Sequence, residues 1–355
     1  MANRSFLGVY CYCLFFLILI LSVSSNKKKL IVKGECKTFK KILFIIFVLY
    51  LIICLAMGVQ RGGIDARAFS FTEIYQMRAE YDDSSGISGY LASWCAKSMF
   101  PIFTSYFLYL DKKKYVFLCI LAQLFLYFCF GYKGYLFSIF FVVFLYYTLK
   151  KYNSSQNDTV ILLGFILLSS LSLLIYFEGI LGIIGKNVSS VFAMRMLFEP
   201  SRIAFGYIDF FSGEEKLYFS EGIIGHLLGI PYRFNEPIGY VLTKYMNGID
   251  VISNSNTGII SDSYAELGMC GVVIISCLTG FIFKFIERAT NYIPSFVVMA
   301  SLGHPIVILN ATPLLTNILT NGWALDIILL MIINGSLIKK LSIPLNDRIN
   351  NMKGE

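Results

Sequence analysis

Apolar residues run along this chain in blocks of roughly 16–25, the length a helix rising ~1.5 Å per residue needs to cross ~30 Å of hydrocarbon. The blocks do not alternate apolar and polar positions, as the ~10-residue strands of a membrane barrel would. They predict helical spans at about 5–24, 42–59, 91–110, 115–130, 134–149, 159–178, 257–283, 293–311 and 318–338. The expected fold is all-α, a polytopic transmembrane helix bundle. About nine spans are expected, within a range of about eight to eleven, because two blocks are short and the region after 293 divides ambiguously. The whole chain, 1–355, reads as a single integral membrane domain with no internal repeat.

Charge orients the spans. Lys27, Lys28, Lys29, Lys33, Lys37, Lys40 and Lys41 crowd the connection between the first two blocks and place it on the cytoplasmic side. Alternating from there, Lys112–Lys114, Lys150/Lys151, Lys284/Arg288 and Lys339/Lys340 also come out cytoplasmic. Two polar stretches then face outward, about 60–90 and about 179–256. The second exceeds an ordinary connector and is rich in aromatics, glycine and isoleucine, so a folded cap with interfacial helices is expected. Arg4, the apolar core after it and Ser22-Val23-Ser24 also fit a cleavable signal peptide. Cleavage would leave the lysine-rich segment outside, so an uncleaved span is preferred.

Composition narrows the class. The chain is 57% hydrophobic and 15% charged, with 32 Phe and 23 Tyr, and its mean hydropathy is +0.69. The net charge of +8 does not indicate nucleic-acid binding, because much of it lies in short loops beside spans. All nine cysteines except Cys36 fall in or at the edge of apolar blocks, as small apolar residues do, and no disulfide framework is apparent. The absence of paired Cys-x-x-Cys spacing and the presence of only His226 and His304 argue against a Cys- or His-rich metal site.

The middle of the spans reads as nearly free of charge, so candidate chemistry gathers in the outer segments. Arg195 and Arg202 stand seven apart, two turns of one helix, and could grip an anion between two guanidinium forks. Pro200 would kink that helix or start a new one, and lipid contact or pairing with Glu199 and Asp209 is the structural alternative. Lys133, flanked by glycines in Gly-Tyr-Lys-Gly, could contact a ligand or simply snorkel to water. Arg61, Arg67 and Arg78 lie in the first outer stretch among acidic residues, and Arg61 directly follows a span. His226 could do acid–base work, with Arg233 as a further anion contact, and His304 reads as a packing or hydrogen-bonding residue. Asp262 and Glu266 share a helix face near a helix N-terminus, where they could bind sugar hydroxyls, act as a base or stabilise the helix end.

Residues 254–273, Asn-Ser-Asn-Thr-Gly-Ile-Ile-Ser-Asp-Ser-Tyr-Ala-Glu-Leu-Gly-Met-Cys-Gly-Val-Val, resemble the segment of bacterial O-antigen polymerases that enters a span after their large periplasmic loop. The turn at 131–134 is similar to their small-residue turn with one basic residue, often Arg where this chain has Lys133. The Arg195/Arg202 stretch resembles the basic start of their large loop. An Arg, ten residues, then Gly resembles a pattern of their periplasmic loops and occurs here at Arg78–Gly89, Arg195–Gly206 and Arg202–Gly213.

The resemblance implies a glycosyltransferase at the periplasmic face of a bacterial inner membrane, with 60–90 and 179–256 as periplasmic loops. Its donor would be a glycan on undecaprenyl pyrophosphate, transferred to a new lipid-linked repeat unit without a cofactor. Arg195, Arg202, Arg233, Lys133, Arg61 and Arg78 would contact the leaving group or substrate, His226, Asp262 or Glu266 the acceptor hydroxyl, and Tyr207, Tyr218, Tyr232 and Tyr240 the sugar faces. Implied partners are membrane lipid, a chain-length regulator and a repeat-unit flippase. An O-antigen ligase shares the architecture and remains open, as do a lipid-linked oligosaccharide flippase or other transporter and, through His304, a membrane O-acyltransferase.

Overall fold

The apolar blocks fold as helices in the computed structural model, which describes residues 2–23, 36–70, 73–74, 76–77, 86–151, 170, 198–248 and 254–341. The span expected at 159–178 lies outside the described residues except position 170, and Arg78 and Arg195 lie outside them altogether. Every regular element among the described residues is helical. In chain order the helices are α1 (Ala2–Val23), α2 (Cys36–Gln60), α3 (Gly86–Trp94), α4 (Phe100–Tyr109), α5 (Lys113–Phe130), α6 (Lys133–Lys151), α7 (Glu199–Gly213), α8 (Ile223–Leu228), α9 (Ile238–Asn247), α10 (Ile259–Ala289), α11 (Ser295–Ile308), α12 (Leu314–Leu319) and α13 (Trp323–Leu341). A π-helical turn, Cys95–Met99, joins α3 to α4, and a 3-10 turn covers Ala66–Phe69.

Among the described residues five helices are long and apolar enough to cross a membrane: α1 from Phe6, α2, α5, α6 and α10. Ile20, Ile45, Phe117, Phe144 and Phe281 on these helices are exposed. Each would cost about 1.5–3 kcal/mol against water, a penalty that lipid removes. The protein is a helical membrane protein. The block expected at 91–110 is interrupted by the π turn, and the one at 318–338 breaks into the end of α12 and α13.

The chain divides into two compact units. The first comprises Met1–Ser25, Asn153–Phe283 and Ile308–Leu314. The second comprises Asn26–Tyr152, Lys284–Val307 and Leu315–Glu355.

In the second unit α4 packs on α5 and α6, and α2 packs on α5 and α13. Phe100 through Phe107 are buried on every face of α4, as expected of a helix surrounded by others. Phe47 of α2 meets Phe103 and Phe107 with ring centroids 5.2 and 5.1 Å apart. The C-terminus of α2 closes through Gly62 N–H to Val59 O at 3.0 Å and Gly63 N–H to Gly58 O at 2.8 Å. Both glycines have positive φ, 86° and 87°. This is the paired-bond glycine termination of a helix, and it fixes Arg61 as the residue at the helix end.

The π turn has its own supports. Ala96 O accepts from Gln123 Nε2 of α5 at 2.7 Å and from Ser138 Oγ of α6 at 2.9 Å. On its other side Trp94 Nε1 donates to Leu319 O at 2.8 Å, Lys97 Nζ to Asn321 Oδ1 at 2.8 Å, and Ser98 Oγ to Asp326 Oδ1. Positions 94, 97 and 98 lie on one helix face, so the irregular turn is docked against the break between α12 and α13.

In the first unit α1 packs on α7, with Tyr12 and Phe205 stacked at 6.3 Å. The buried residues of α7, Ala204, Tyr207, Ile208 and Phe211, form one stripe at helical spacing. The opposite side of α7 carries its charge, so the long polar stretch is folded and amphipathic where it is described. α10 is broken at Gly268, whose φ of 63° and ψ of −144° are non-helical.

Candidate functional site

Asp262 and Glu266 sit one turn apart in the first part of α10, before the break at Gly268. The carbonyls of Ala265 and Glu266 would normally accept from N–H groups beyond that break. Leu217 N–H and Tyr218 N–H reach them instead, at 2.9 and 3.1 Å. Phe219 N–H donates to the Glu266 carboxylate. The loop following α7 is therefore docked onto the opened end of the helix.

That loop is a tight turn of unusual composition. Ser220 N–H closes onto Leu217 O at 3.0 Å, and the central residues Tyr218 and Phe219 are both left-handed, at φ 53° and 62°. Positive φ at both positions is the type I′ requirement, normally met by Asn-Gly. Two aromatic residues there cost on the order of 1–3 kcal/mol each, so the surroundings must hold them. Glu266, 8% exposed, supplies both a backbone and a side-chain acceptor for that purpose.

Glu221 follows the turn. Its Oε1 accepts the Ile238 N–H at 2.9 Å, at the start of α9. Although the residue is exposed, the protein packed about its carboxyl raises its pKa above the ordinary value. Tyr207 is buried, and its hydroxyl donates to Ser255 O at 3.1 Å. Burial, then Asp262 and Glu221, push that phenol far up. Burial and then Glu221 do the same to Tyr232, whose hydroxyl donates to Glu236 O at 2.9 Å. Tyr207, Glu221, Tyr232, Asp262 and Glu266 thus form one electrostatic group. Asp262 is half-buried, and no hydrogen bond among the described residues engages its carboxylate. A carboxylate without a competing donor, beside raised phenols, is suited to accept a proton from a bound hydroxyl.

The other expected residues are placed as follows. Pro200 lies in the first turn of α7, and Phe198 just before it also has helical backbone angles, φ −76° and ψ −50°. Arg202 is exposed and donates to Glu199 Oε2 and Asn247 Oδ1, each at 3.1 Å. With Arg195 outside the described residues, their shared face is not on view. Arg233 lies 3.8 Å from Glu214 and 3.7 Å from Glu215, and stacks over Phe234 at 4.6 Å. His226 is exposed on α8, and among the described residues its ring takes part in no hydrogen bond. Arg61, over the Phe130 ring at 4.9 Å, and Lys133, the first residue of α6, belong to the second unit. Arg67 pairs with Asp65 at 2.8 Å.

The structure gathers Asp262 and Glu266 with two of the expected tyrosines and adds Glu221, a lone carboxylate in an apolar, aromatic stretch. It also reveals ionisable residues inside apolar blocks: Lys97, His304 at 4% exposure and Asp326 at 0%. Their signal in the sequence is their cost in such a block, which is rarely borne without a role. Among the described residues no group of three His, Cys, Asp or Glu side chains stands close enough to hold a metal ion. No known protein family, characterised protein or solved structure matches this chain.

Proposed function

We propose that this protein is a glycosyltransferase that polymerises undecaprenyl-pyrophosphate-linked oligosaccharide repeat units into O-antigen or a related surface polysaccharide, at the periplasmic face of a bacterial inner membrane. The observation that carries this reading is the position of Asp262. It lies in the segment that resembles O-antigen polymerases, its carboxylate accepts no hydrogen bond among the described residues, and it stands with Glu221, Tyr207 and Tyr232.

In this reading an acceptor sugar hydroxyl attacks the anomeric carbon of the donor's reducing-end sugar. The new C–O bond forms as the bond from that carbon to the pyrophosphate breaks. The hydroxyl proton passes to Asp262, and undecaprenyl pyrophosphate leaves with the bonding electron pair. Arg202, together with Arg195, would offset the negative charge developing on the leaving group. Glu266 positions the chain by holding the Leu217–Ser220 turn.

The nine-span topology is part of the proposal. Two sets of contacts support its alternation. Arg61, Tyr90, Phe130, Tyr132 and Thr320, placed by it at outer helix ends, line one cavity. Tyr109 and Tyr146, placed at inner ends, both meet Phe296, at 6.4 and 5.4 Å.

The test is a clean deletion of the gene followed by a gel of cell-surface lipopolysaccharide. A single repeat unit on lipid A–core is expected, because export and ligation continue. Loss of every repeat unit would replace the polymerase with a ligase or flippase, and long lipid-linked polymer in those cells would select the ligase. An unchanged ladder would overturn the assembly role.

A further inference from the structure

The second unit contains a cavity of ≈ 490 Å³, and of its lining residues only Arg61 was expected to touch the glycosyl-transfer substrate. Arg61, Tyr90, Ser93, Lys97, Phe130 and Tyr132 are among the residues that line it. Its size is that of a small-molecule site rather than a packing defect. We propose that this cavity binds the phosphate head group of a membrane lipid, with Lys97, Arg61 and the Ser93 hydroxyl around the phosphate and the aromatic walls against the attached polar body.

Three observations carry the assignment. First, Lys97 stands in an apolar block with no carboxylate in ion-pair reach among the described residues. Its ammonium donates at 2.8 Å to the neutral amide of Asn321, whose Nδ2 donates to Asn317 Oδ1 at 3.1 Å, and Asn317 Nδ2 in turn donates to Pro305 O at 3.1 Å. That chain orients Lys97 but supplies no negative charge. A cation in an apolar block lacking a counter-ion is costly, and a bound anion removes the cost.

Second, Ser93 is 6% exposed, its Oγ has no hydrogen-bond partner among the described residues, and it lines the cavity. A buried hydroxyl of this kind is normally satisfied. Ser93 and Lys97 are four apart, so both face the same space across the start of the π turn. Third, the site is built. The Gly62/Gly63 termination fixes Arg61, and the π turn is braced by Gln123 and Ser138 on one side and by the α12–α13 break on the other. Single π turns in helices recur at functional sites.

Phosphate fits this set better than a carboxylate. It has enough oxygens to take an ammonium, a guanidinium and a hydroxyl at once. It would fill only part of the cavity, leaving the remainder for a glycerol or sugar against Tyr90, Phe130 and Tyr132. The surroundings are helix ends of a membrane protein, so a lipid brings the phosphate to this level without desolvating a free ion. The inference does not depend on glycosyl transfer, and either can fail alone.

The experiment uses the full-length protein in phosphatidylcholine nanodiscs and measures binding of dioctanoyl phosphatidic acid calorimetrically. Inorganic phosphate and dioctanoylglycerol are the comparison probes. Phosphatidic acid is expected to bind, and dioctanoylglycerol is not. Lys97→Gln is expected to weaken binding at least about tenfold, Lys97→Arg to stay within about threefold of the parent, and Ser93→Ala to weaken it several-fold. Equal binding of inorganic phosphate would retain the phosphate site and overturn the lipid source. Unchanged phosphatidic acid affinity in Lys97→Gln, or equal binding of dioctanoylglycerol, would overturn the site. If Lys97→Gln fails to fold, Lys97→Arg and Ser93→Ala decide: unchanged affinity in Ser93→Ala together with complete loss in Lys97→Arg contradicts the proposed contacts.

Discussion

The Glu266 carboxylate accepts the backbone N–H of Phe219, a left-handed aromatic residue in a turn that glycine and asparagine usually occupy. This gives a largely buried carboxylate in the transmembrane region a structural reason to be there. Glu266→Ala leaves the Phe219 N–H without its acceptor, at a cost of about 1–3 kcal/mol. Glu266→Gln keeps an acceptor oxygen and is expected to recover most of that. Amide hydrogen exchange across 217–220 in nanodiscs is the check. Exchange as slow in Glu266→Ala as in the parent would show that the turn does not need the carboxylate.

Asp262 makes the opposite prediction, because its carboxylate holds nothing together among the described residues. Asp262→Asn preserves size and removes the base. The expected result is a fall in chain lengthening of at least about 100-fold, the usual worth of a general base, with normal protein level in the membrane. Exchange across 217–220 should stay at the parental rate. Retained long chains in Asp262→Asn cells would remove Asp262 from the proposed chemistry.

Arg202 separates charge from stability. Its pairing with Glu199 at 3.1 Å is exposed, and such pairs contribute about 0–1 kcal/mol. Arg202→Ala is therefore expected to shift the melting temperature by no more than a few degrees. A role on the pyrophosphate leaving group predicts that it nonetheless abolishes chain lengthening. Wild-type chain lengths in Arg202→Ala cells would leave Arg202 as a surface residue tied to Glu199 and Asn247.

Helical membrane architecture was legible in the sequence because a span imposes a length and a polarity that no local detail overrides. Asp262 and Glu266 were legible for a similar reason, since four-residue spacing places them on one face. The docked turn was not. Tyr218-Phe219 carries none of the chemistry that announces a left-handed pair, and its acceptors come from Ala265 and Glu266, far along the chain. Lys97 was hidden differently. Its block is apolar enough to read as an uninterrupted span, while the π turn that sets Lys97 in the cavity is supported by Gln123 and Ser138 from other helices and by Asn321 in the α12–α13 break. Window hydropathy averages such residues away.

Glu221 supplies a pH dependence. Its carboxyl is raised above the ordinary value of 4.5 by the protein packed about it. A carboxyl with a raised folded-state pKa favours folding while protonated, and that contribution is lost as pH rises from 4.5 through the folded value. Glu221→Gln stays neutral and still offers an oxygen to the Ile238 N–H. Its melting temperature relative to the parent is expected to rise between pH 4 and pH 7. Melting curves that keep a constant offset across that window would show that Glu221 titrates alike in the folded and unfolded chain.

Gly268 links the broken helix to the turn it accepts. At φ 63° and ψ −144° it occupies backbone space that is essentially closed to residues with a Cβ, and an added Cβ would lie 3.3 Å from Lys216 Cε. Gly268→Ala is expected to push α10 toward a continuous helix. The Ala265 and Glu266 carbonyls would then bond within the helix, and the Leu217 and Tyr218 N–H groups would lose their acceptors. Gly248→Ala is the control: it is also left-handed, at φ 63°, but an added Cβ meets nothing within 4 Å, so it carries only about 1 kcal/mol of backbone strain. The expected pattern is faster exchange across 217–220 and lost chain lengthening in Gly268→Ala, with both near parental in Gly248→Ala. Equal effects in the two variants would reduce the break at Gly268 to ordinary glycine strain, and the turn would have to be held by something other than the opened end of α10.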